Sequence, residues 1–267
     1  MQIVINSATE APPGSQLLPS QGSYYPNALT CMGCDAHNPP VAELLSSYHQ
    51  LEGKWLIASP IHWEATHNDA MIVAVDEMLH LEEEESRLWF SALTEFLNAS
   101  GMNIFYHDAY TWLLRMDDKP LIHSQSVYRI LHQSLMPVLA SLDKGLFWQR
   151  FITELQMFLS SHPLNYQRAG KLPINGLWLW GDGEFKPARK ENVFTDDEIL
   201  LKGVKQLHPL PKPLIPSKNS LLLIKHPQQI DIASLQKNTQ NKSVQWYWNN
   251  LAYSQGPTKR WFRLWRS

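Results

Sequence analysis

Residues 161–185 read SHPLNYQRAGKLPINGLWLWGDGEF, and this stretch decides the fold. A helical pattern ends at His162-Pro163, because the residue before a proline is driven out of the helical region. Asn165 and Arg168 follow in a turn, and Gly170 and Pro173 shape the loop beyond it. From Asn175 an uncharged apolar run reaches Trp180 and breaks at Gly181-Asp182-Gly183. The lack of charge predicts a central strand covered on both faces. In open α/β sheets, ligands bind beyond the carboxyl ends of strands, where glycines let the backbone approach. His162, Asn165, Arg168, Asn175, Gly181, Asp182 and Gly183 are therefore the candidate ligand-binding residues. The planar guanidinium of Arg168 suits a carboxylate or a phosphate. The short loop between Arg168 and Asn175 is expected to bring it to the Gly181–Gly183 turn. Its expected partner there is Asp182, Glu154 or a bound anion, since a buried arginine must be paired.

Outward from this stretch, helices and strands interleave. Helical patterns are expected over residues 41–51, 82–98, 124–135 and 146–159, and a short one over 232–237. Residues 82–85 are all glutamate, and the dipole of a helix favours negative charge in its first turn. Apolar runs of strand length occupy residues 55–60, 71–75 and 220–225, and aromatic-rich runs at 103–107 and 110–116 predict a hairpin. Thr195 and Glu198 have capping-box spacing for a helix over 195–207. Residues 209–216 contain four prolines and read as a stiff connector. The expected fold class is α/β, or an α+β sandwich, with helices packed on a mixed sheet. A main domain is expected over 1–208, with an irregular segment at 1–40. Residues 209–267 are expected to form a connector and a strand/helix extension packed on the same domain.

The chain has 267 residues, 44% hydrophobic and 18% charged, with a formal net charge of -2. Near-neutrality gives no electrostatic reason to bind nucleic acid. No apolar window reaches the roughly 18 residues of a membrane span. Residues 1–6 lack a basic segment leading into an apolar run, and two cysteines do not make a disulfide scaffold. A cytoplasmic protein is expected.

The 161–185 stretch resembles archaeal-type cofactor-independent phosphoglycerate mutases in the order of His162, Pro163, Leu164, Asn165, Arg168, Gly170, Pro173, Asn175, Gly181 and Gly183. It is closer to a shorter bacterial group of phosphoglycerate-mutase-related, RpfE-type regulatory proteins. That likeness spans residues 50–210 and includes Pro60-Ile61-His62, Glu154-Leu155-Gln156-Met157 and Trp178-Leu179-Trp180-Gly181. It implies part of the mutase fold and a small phosphorylated or carboxylate metabolite, or a protein partner, as ligand. Trp180 stands where the mutase pattern has arginine, and Asp182 where it has alanine. The mutases' serine nucleophile and Asp/His metal clusters have no counterpart in these motifs. The resemblance therefore implies a non-catalytic or regulatory protein with no cofactor. The alternative it leaves is a metal-dependent phosphoryl-transfer enzyme.

Other constellations remain open. Cys31, Cys34 and His37 contain a CxxC, either a redox pair, half a zinc site or two thiols in a loop. His62, His67 and Asp69 offer metal-type ligands within eight residues, or merely cap a strand end and face solvent. The 11 tryptophans either fill a core or present a recognition surface. Residues 260–266 alternate basic and aromatic side chains, which suits an interaction tail or an edge strand.

Overall fold

The computed structural model describes residues 1–188, 191–214 and 217–256. The basic-aromatic tail at 260–266 lies outside them. In chain order the strands are β1 (Gln2–Ile5), β2 (Gln16–Leu18), β3 (Trp55–Ala65), β4 (Ala70–Val75), β5 (Ile104–Asp108), β6 (Thr111–Arg115), β7 (Gly176–Trp180), β8 (Val193–Thr195), β9 (His208–Pro209), β10 (Leu221–Ile224), β11 (Val244–Trp248) and β12 (Ala252–Gln255). The helices are α1 (Tyr24–Cys31), α2 (Val41–Tyr48), α3 (Glu83–Ala99), α4 (Val127–Ile130), α5 (Met136–Ser141), α6 (Phe147–Ser161), α7 (Glu198–Gly203) and α8 (Ile232–Thr239). The α/β class is as expected. Among the described residues no helix is long and apolar enough to cross a membrane.

The chain forms two compact units, Met1–Cys34 with Pro187–Ser267, and Asp35–Lys186. This differs from the expected division at 208/209. The prolines beyond 208 interrupt a sheet rather than end a domain, because β10 and β11 supply the neighbours of β1.

The discontinuous unit holds a seven-stranded sheet in the order β2-β12-β11-β1-β10-β8-β9. β1 is parallel to both β10 and β11, pairing Ile3 with Leu222 and Trp246. β10 is parallel to β8, and β8 to β9. The segment 1–40 is thus not irregular: it supplies a central strand, an edge strand and a helix. Pro26 lies in the first turn of α1, where a missing N–H costs nothing. Ile3, Ile5, Leu222, Ile224, Trp246 and Trp248 make one buried face with Leu235 of α8. By the two-residue strand period, Val4 and Leu223 point the other way, where α1 packs on β1 and β11. Burial on both faces is what parallel strands require.

The continuous unit is organised by β3, an 11-residue strand. It pairs antiparallel with β4, β6 and β7, and a bulge falls at His62/Trp63. β5 and β6 form the expected hairpin. β7 is buried at every position yet has only β3 as a strand neighbour among the described residues, so it is not the central strand expected. Side chains and loop cover it instead: Ser124 Oγ donates to the Leu179 carbonyl at 2.5 Å, and Trp178 Nε1 to the Gln125 carbonyl at 2.8 Å. α6 and α4 pack against it. The helix expected over 124–135 shrinks to α4 because much of that segment is the cover.

Of the tryptophans described, only Trp55 and Trp63 are part-exposed; Trp89, Trp112, Trp148, Trp178, Trp180, Trp246 and Trp248 are buried. A tryptophan-rich surface is therefore not what these residues make. Large rings fill the interior, as in the stacked pair Trp246–Trp248 at 6.4 Å.

Candidate functional site

The residues of the 161–185 motif fall at opposite ends of β7. A five-residue strand spans roughly 17 Å at 3.3 Å per residue, so they do not converge on one cleft. At the amino end, His162 closes α6, and its Nδ1 accepts from Leu164 N at 3.3 Å. The ring lies 5.1 Å from Trp89 and 5.3 Å from Phe158. The Asn165 amide donates to the carbonyls of Leu159 and Ile174 and accepts from Ile174 N at 2.9 Å. Asn175 brackets Trp63, accepting from its N–H at 2.9 Å and donating to its carbonyl at 2.8 Å. Its side chain thereby adds one more rung to the β3–β7 ladder.

Arg168 is 4% exposed. Nε donates to the Leu172 carbonyl at 2.8 Å, Nη2 to the Leu79 carbonyl at 2.5 Å, and Nη1 pairs with Glu85. Lys171 adds a 3.4 Å contact to the same carboxylate. The expected placement at the Gly181–Gly183 turn is therefore incorrect. The loop precedes β7, so folding back reaches only the start of the strand. Its partner is Glu85, from the acidic first turn of α3, rather than Asp182 or Glu154. A buried charge paired on this many sides is a staple between elements.

At the carboxyl end of β7, Gly181 adopts φ +83°, a conformation glycine enters without penalty. Its N–H donates to Asn38 Oδ1 at 2.7 Å, and Asn38 Nδ2 donates to Asp182 Oδ1 at 2.6 Å. A side chain at Gly183 would meet the Asn38 carbonyl at 2.9 Å. Burial raises the Asp182 pKa. The adjoining cavity of about 400 Å³ is lined by Glu43, Asp182 and Glu184 against the single cation Lys54. That lining disfavours an anion.

The metal-type residues do not assemble. Among the described residues no three of His, Cys, Asp and Glu converge to hold an ion. Cys31 and Cys34 are not disulfide-bonded; Cys31 is the last residue of α1 and Cys34 lies just past it, while His37 is exposed in a turn whose N–H donates to Asp35. His62 is 7% exposed and bonds the Pro173 carbonyl at 2.9 Å through Nδ1, bracing the loop that Arg168 staples. His67 is exposed. Asp69 is held below the ordinary carboxylate pKa by hydrogen bonds, first from the Ser134 hydroxyl and then from Ala70 N–H.

The open concave site lies where the parallel strands end. Beyond β8 the Asp196 carboxylate accepts from Lys225 N at 2.6 Å and His226 N at 3.1 Å, just past β10. Asn6, after β1, donates to the Lys225 carbonyl at 3.3 Å and accepts from Asn249, after β11, at 3.1 Å. The Lys225 ammonium sits 4.4 Å from the Tyr25 ring and 5.1 Å from that of Tyr24, within cation–π range. Asp197 is 2% exposed and caps α7 through Ile199 N at 2.8 Å. Desolvation raises its pKa, and Lys225 works against that. Beside this edge is a groove of about 780 Å³ that takes in Leu201, Leu210, Leu214, Ile230 and Leu235, with Asp196, Lys212, Asp231, Ser234 and Asn238 as polar lining. The sequence signal for it was a polar residue directly after each apolar run.

A feature without a sequence signal is Asp76, just past β4. Its backbone sits at φ +50°, and its carboxylate accepts from the Tyr128 hydroxyl at 2.5 Å. Burial pushes its pKa up to about 7, partly countered by the Tyr128 bond, while Glu77 and Asp108 raise it further.

No family model matches the chain. It is 27% identical over 136 residues to the 2,3-bisphosphoglycerate-independent phosphoglycerate mutase of Methanosarcina barkeri, covering 47% of this chain and 34% of that protein. The chain thus spans about a third of the length of that mutase. Among solved structures it is similar to the cofactor-independent phosphoglycerate mutase of Thermoplasma acidophilum, with 12% identity and a TM-score of 0.34 over 95% of this chain and 88% of that one. The likeness in sequence is to phosphoglycerate mutases, and it is partial.

Proposed function

We propose that this is a cytoplasmic, phosphoglycerate-mutase-related protein with a regulatory, non-catalytic role, and that it binds a small molecule in the groove beside β8 and β9. The observation that carries this reading is the contrast between its two polar centres. Asn165, Arg168 and Asn175 spend their donors first on partners inside the chain, and Arg168 is only 4% exposed, so the motif that carries the likeness is committed to holding its own loop. Trp180, where the resemblance expects an arginine, is core: it is 3% exposed and donates to Ser59 Oγ at 3.0 Å. The groove, by contrast, has the size of small-molecule pockets and lies at strand carboxyl ends, where open sheets bind ligands.

The ligand class follows from the lining. Five aliphatic side chains suit an apolar body, and Ser234 and Asn238 suit a hydrogen-bonding head. Lys212 is outnumbered by Asp196 and Asp231, so a multiply charged phosphoglycerate is disfavoured here. The small carboxylate or phosphorylated metabolite implied by the resemblance becomes the competing arm of the test.

The experiment uses the full chain, with anilinonaphthalene sulfonate as an apolar-bodied probe and 3-phosphoglycerate as the competing ligand. Asn238→Trp, at an exposed helix position, fills the groove. The expected result is a fluorescence rise in the wild type that Asn238→Trp removes, no thermal shift with phosphoglycerate, and no mutase turnover with manganese. Turnover above about 1 s⁻¹, within the usual enzyme range, or probe binding indifferent to Asn238→Trp, would overturn the reading.

A further inference from the structure

The groove beside β8 and β9 is lined by the proline-rich stretch 209–214, by the start of α8, and by Thr195 and Asp196 at the end of β8. Pro209, Pro211 and Pro213 join the aliphatic side chains there. A proline has no N–H, so these three positions offer ring carbon and carbonyls but no donor. The Leu210 N–H between them is spent on the Thr195 carbonyl at 3.1 Å. The backbone of this wall is therefore rich in acceptors and poor in donors.

The two carboxylates in the lining are fixed by backbone. Asp196 accepts from Lys225 N at 2.6 Å and His226 N at 3.1 Å, and Asp231 from Ser234 N at 2.9 Å. A peptide N–H is neutral, so these bonds orient each carboxylate without cancelling its charge. An ionised carboxylate has about four acceptor sites in all, which leaves room for a further donor. Asp231 also decides what α8 presents. The first N–H groups of a helix would draw an anion, but here a carboxylate stands in that place. Its bonds from the Ser234 N–H and hydroxyl hold its pKa below the ordinary carboxylate range, so it is ionised at neutral pH. Lys212 is the single cation in the described lining, and it is exposed on a long flexible stem.

We propose that the groove selects a cationic amphiphile: a protonated primary amine on an apolar body, with its ammonium set against Asp196 and Asp231 and its body on the prolines and aliphatic side chains. This rests on the reading of the groove as a small-molecule site and adds the charge of the head group. An ammonium brings three donors and no acceptor, which suits a wall of carboxylates and carbonyls. A carboxylate or phosphate head would meet the same two carboxylates with repulsion.

The test is calorimetric titration of octylamine, octanol and octanoate into the full chain at neutral pH, one apolar body under a cationic, a neutral and an anionic head. The amine should bind about three- to tenfold more tightly than the alcohol, the size of one or two partly exposed ion pairs, and octanoate more weakly than either. The advantage of the amine should shrink at high salt, where exposed charges are screened, while octanol binding does not weaken. Asp231→Asn keeps a side chain that caps helices well and should cut that advantage by about half or more with octanol affinity unchanged; Asp196→Asn should act in the same direction. Asn238→Trp should remove binding of all three. Octanol binding that Asn238→Trp removes, with octylamine no tighter than octanol or octanoate the tightest, would overturn the amine proposal and leave the small-molecule reading standing. Failure of all three to bind, or binding indifferent to Asn238→Trp, would overturn both.

Discussion

Asp76→Asn tests the electrostatics of the continuous unit most directly. Asparagine keeps the shape of the carboxyl group, accepts the bond from Tyr128, and is among the side chains that best tolerate a positive φ. What it removes is the charge. In the folded protein the Asp76 pKa is pushed from 3.8 to about 7. Between those values the folded state binds a proton that the unfolded chain has released. Stability therefore falls as pH rises through this window. At 1.36 kcal/mol per pH unit, the part of the loss between pH 5 and 8 is at most about 3 kcal/mol. The residue is half-buried, and solvent screening reduces the figure to about 1–2 kcal/mol. The stability advantage of Asp76→Asn over the wild type should widen by that amount between pH 5 and pH 8, or about 2–8 °C in Tm. Thermal and urea melts of both proteins at pH 5, 6, 7 and 8 give the comparison, and histidine titrations common to both cancel in the difference. Parallel pH profiles, or a variant less stable than wild type at pH 8, would show that Asp76 ionises at an ordinary pKa.

Two further predictions follow from the motif. Arg168→Ala leaves Glu85 without its buried cation and should cost about 3–5 kcal/mol; phosphate should not raise the wild-type Tm, and a phosphate-dependent rise absent from the variant would restore a ligand role for Arg168. Gly181→Ala puts a Cβ 3.1 Å from Ile57 at φ +83° and should cost more than Gly170→Ala, which shares the positive φ but has open space around it; equal losses, each of about 1–2 kcal/mol, would mean that backbone strain alone operates at Gly181.

The elements were largely legible and their partners were not. The apolar runs at 176–180 and 221–224 announced strands, and the glutamates at 82–85 announced the start of a helix, because these signals are local. β7 was misread as central since lack of charge reports burial, and a loop and two helices bury it as well as strands would. The capping box at Thr195 lost to Asp197, whose carboxylate reaches Ile199 N at 2.8 Å. Arg168 was rightly expected to be paired, but Glu85 is 83 residues away in the chain, and spacing along the motif carries no trace of it. The groove residues each looked like ordinary strand-end polar groups until the parallel register brought Asp196, Lys225, Asn6 and Asn249 to one edge. Asp76 was invisible because its pKa arises from enclosure and from Tyr128, 52 residues on.

The position of β1 sets an order of events during synthesis. Its neighbours in the sheet begin at Leu221 and Gln245, whereas every strand of the 35–186 unit is complete by Trp180. At typical elongation rates of roughly 5–20 residues per second, the first strand waits on the order of ten to forty seconds for its partners. Throughout that wait Ile3, Val4 and Ile5 have no sheet to enter, whereas after Trp180 the inserted unit has all its own strands and can fold. Between residues 186 and 221 the nascent chain thus carries an unpaired hydrophobic strand alongside a unit that can already fold, a liability if translation stalls there.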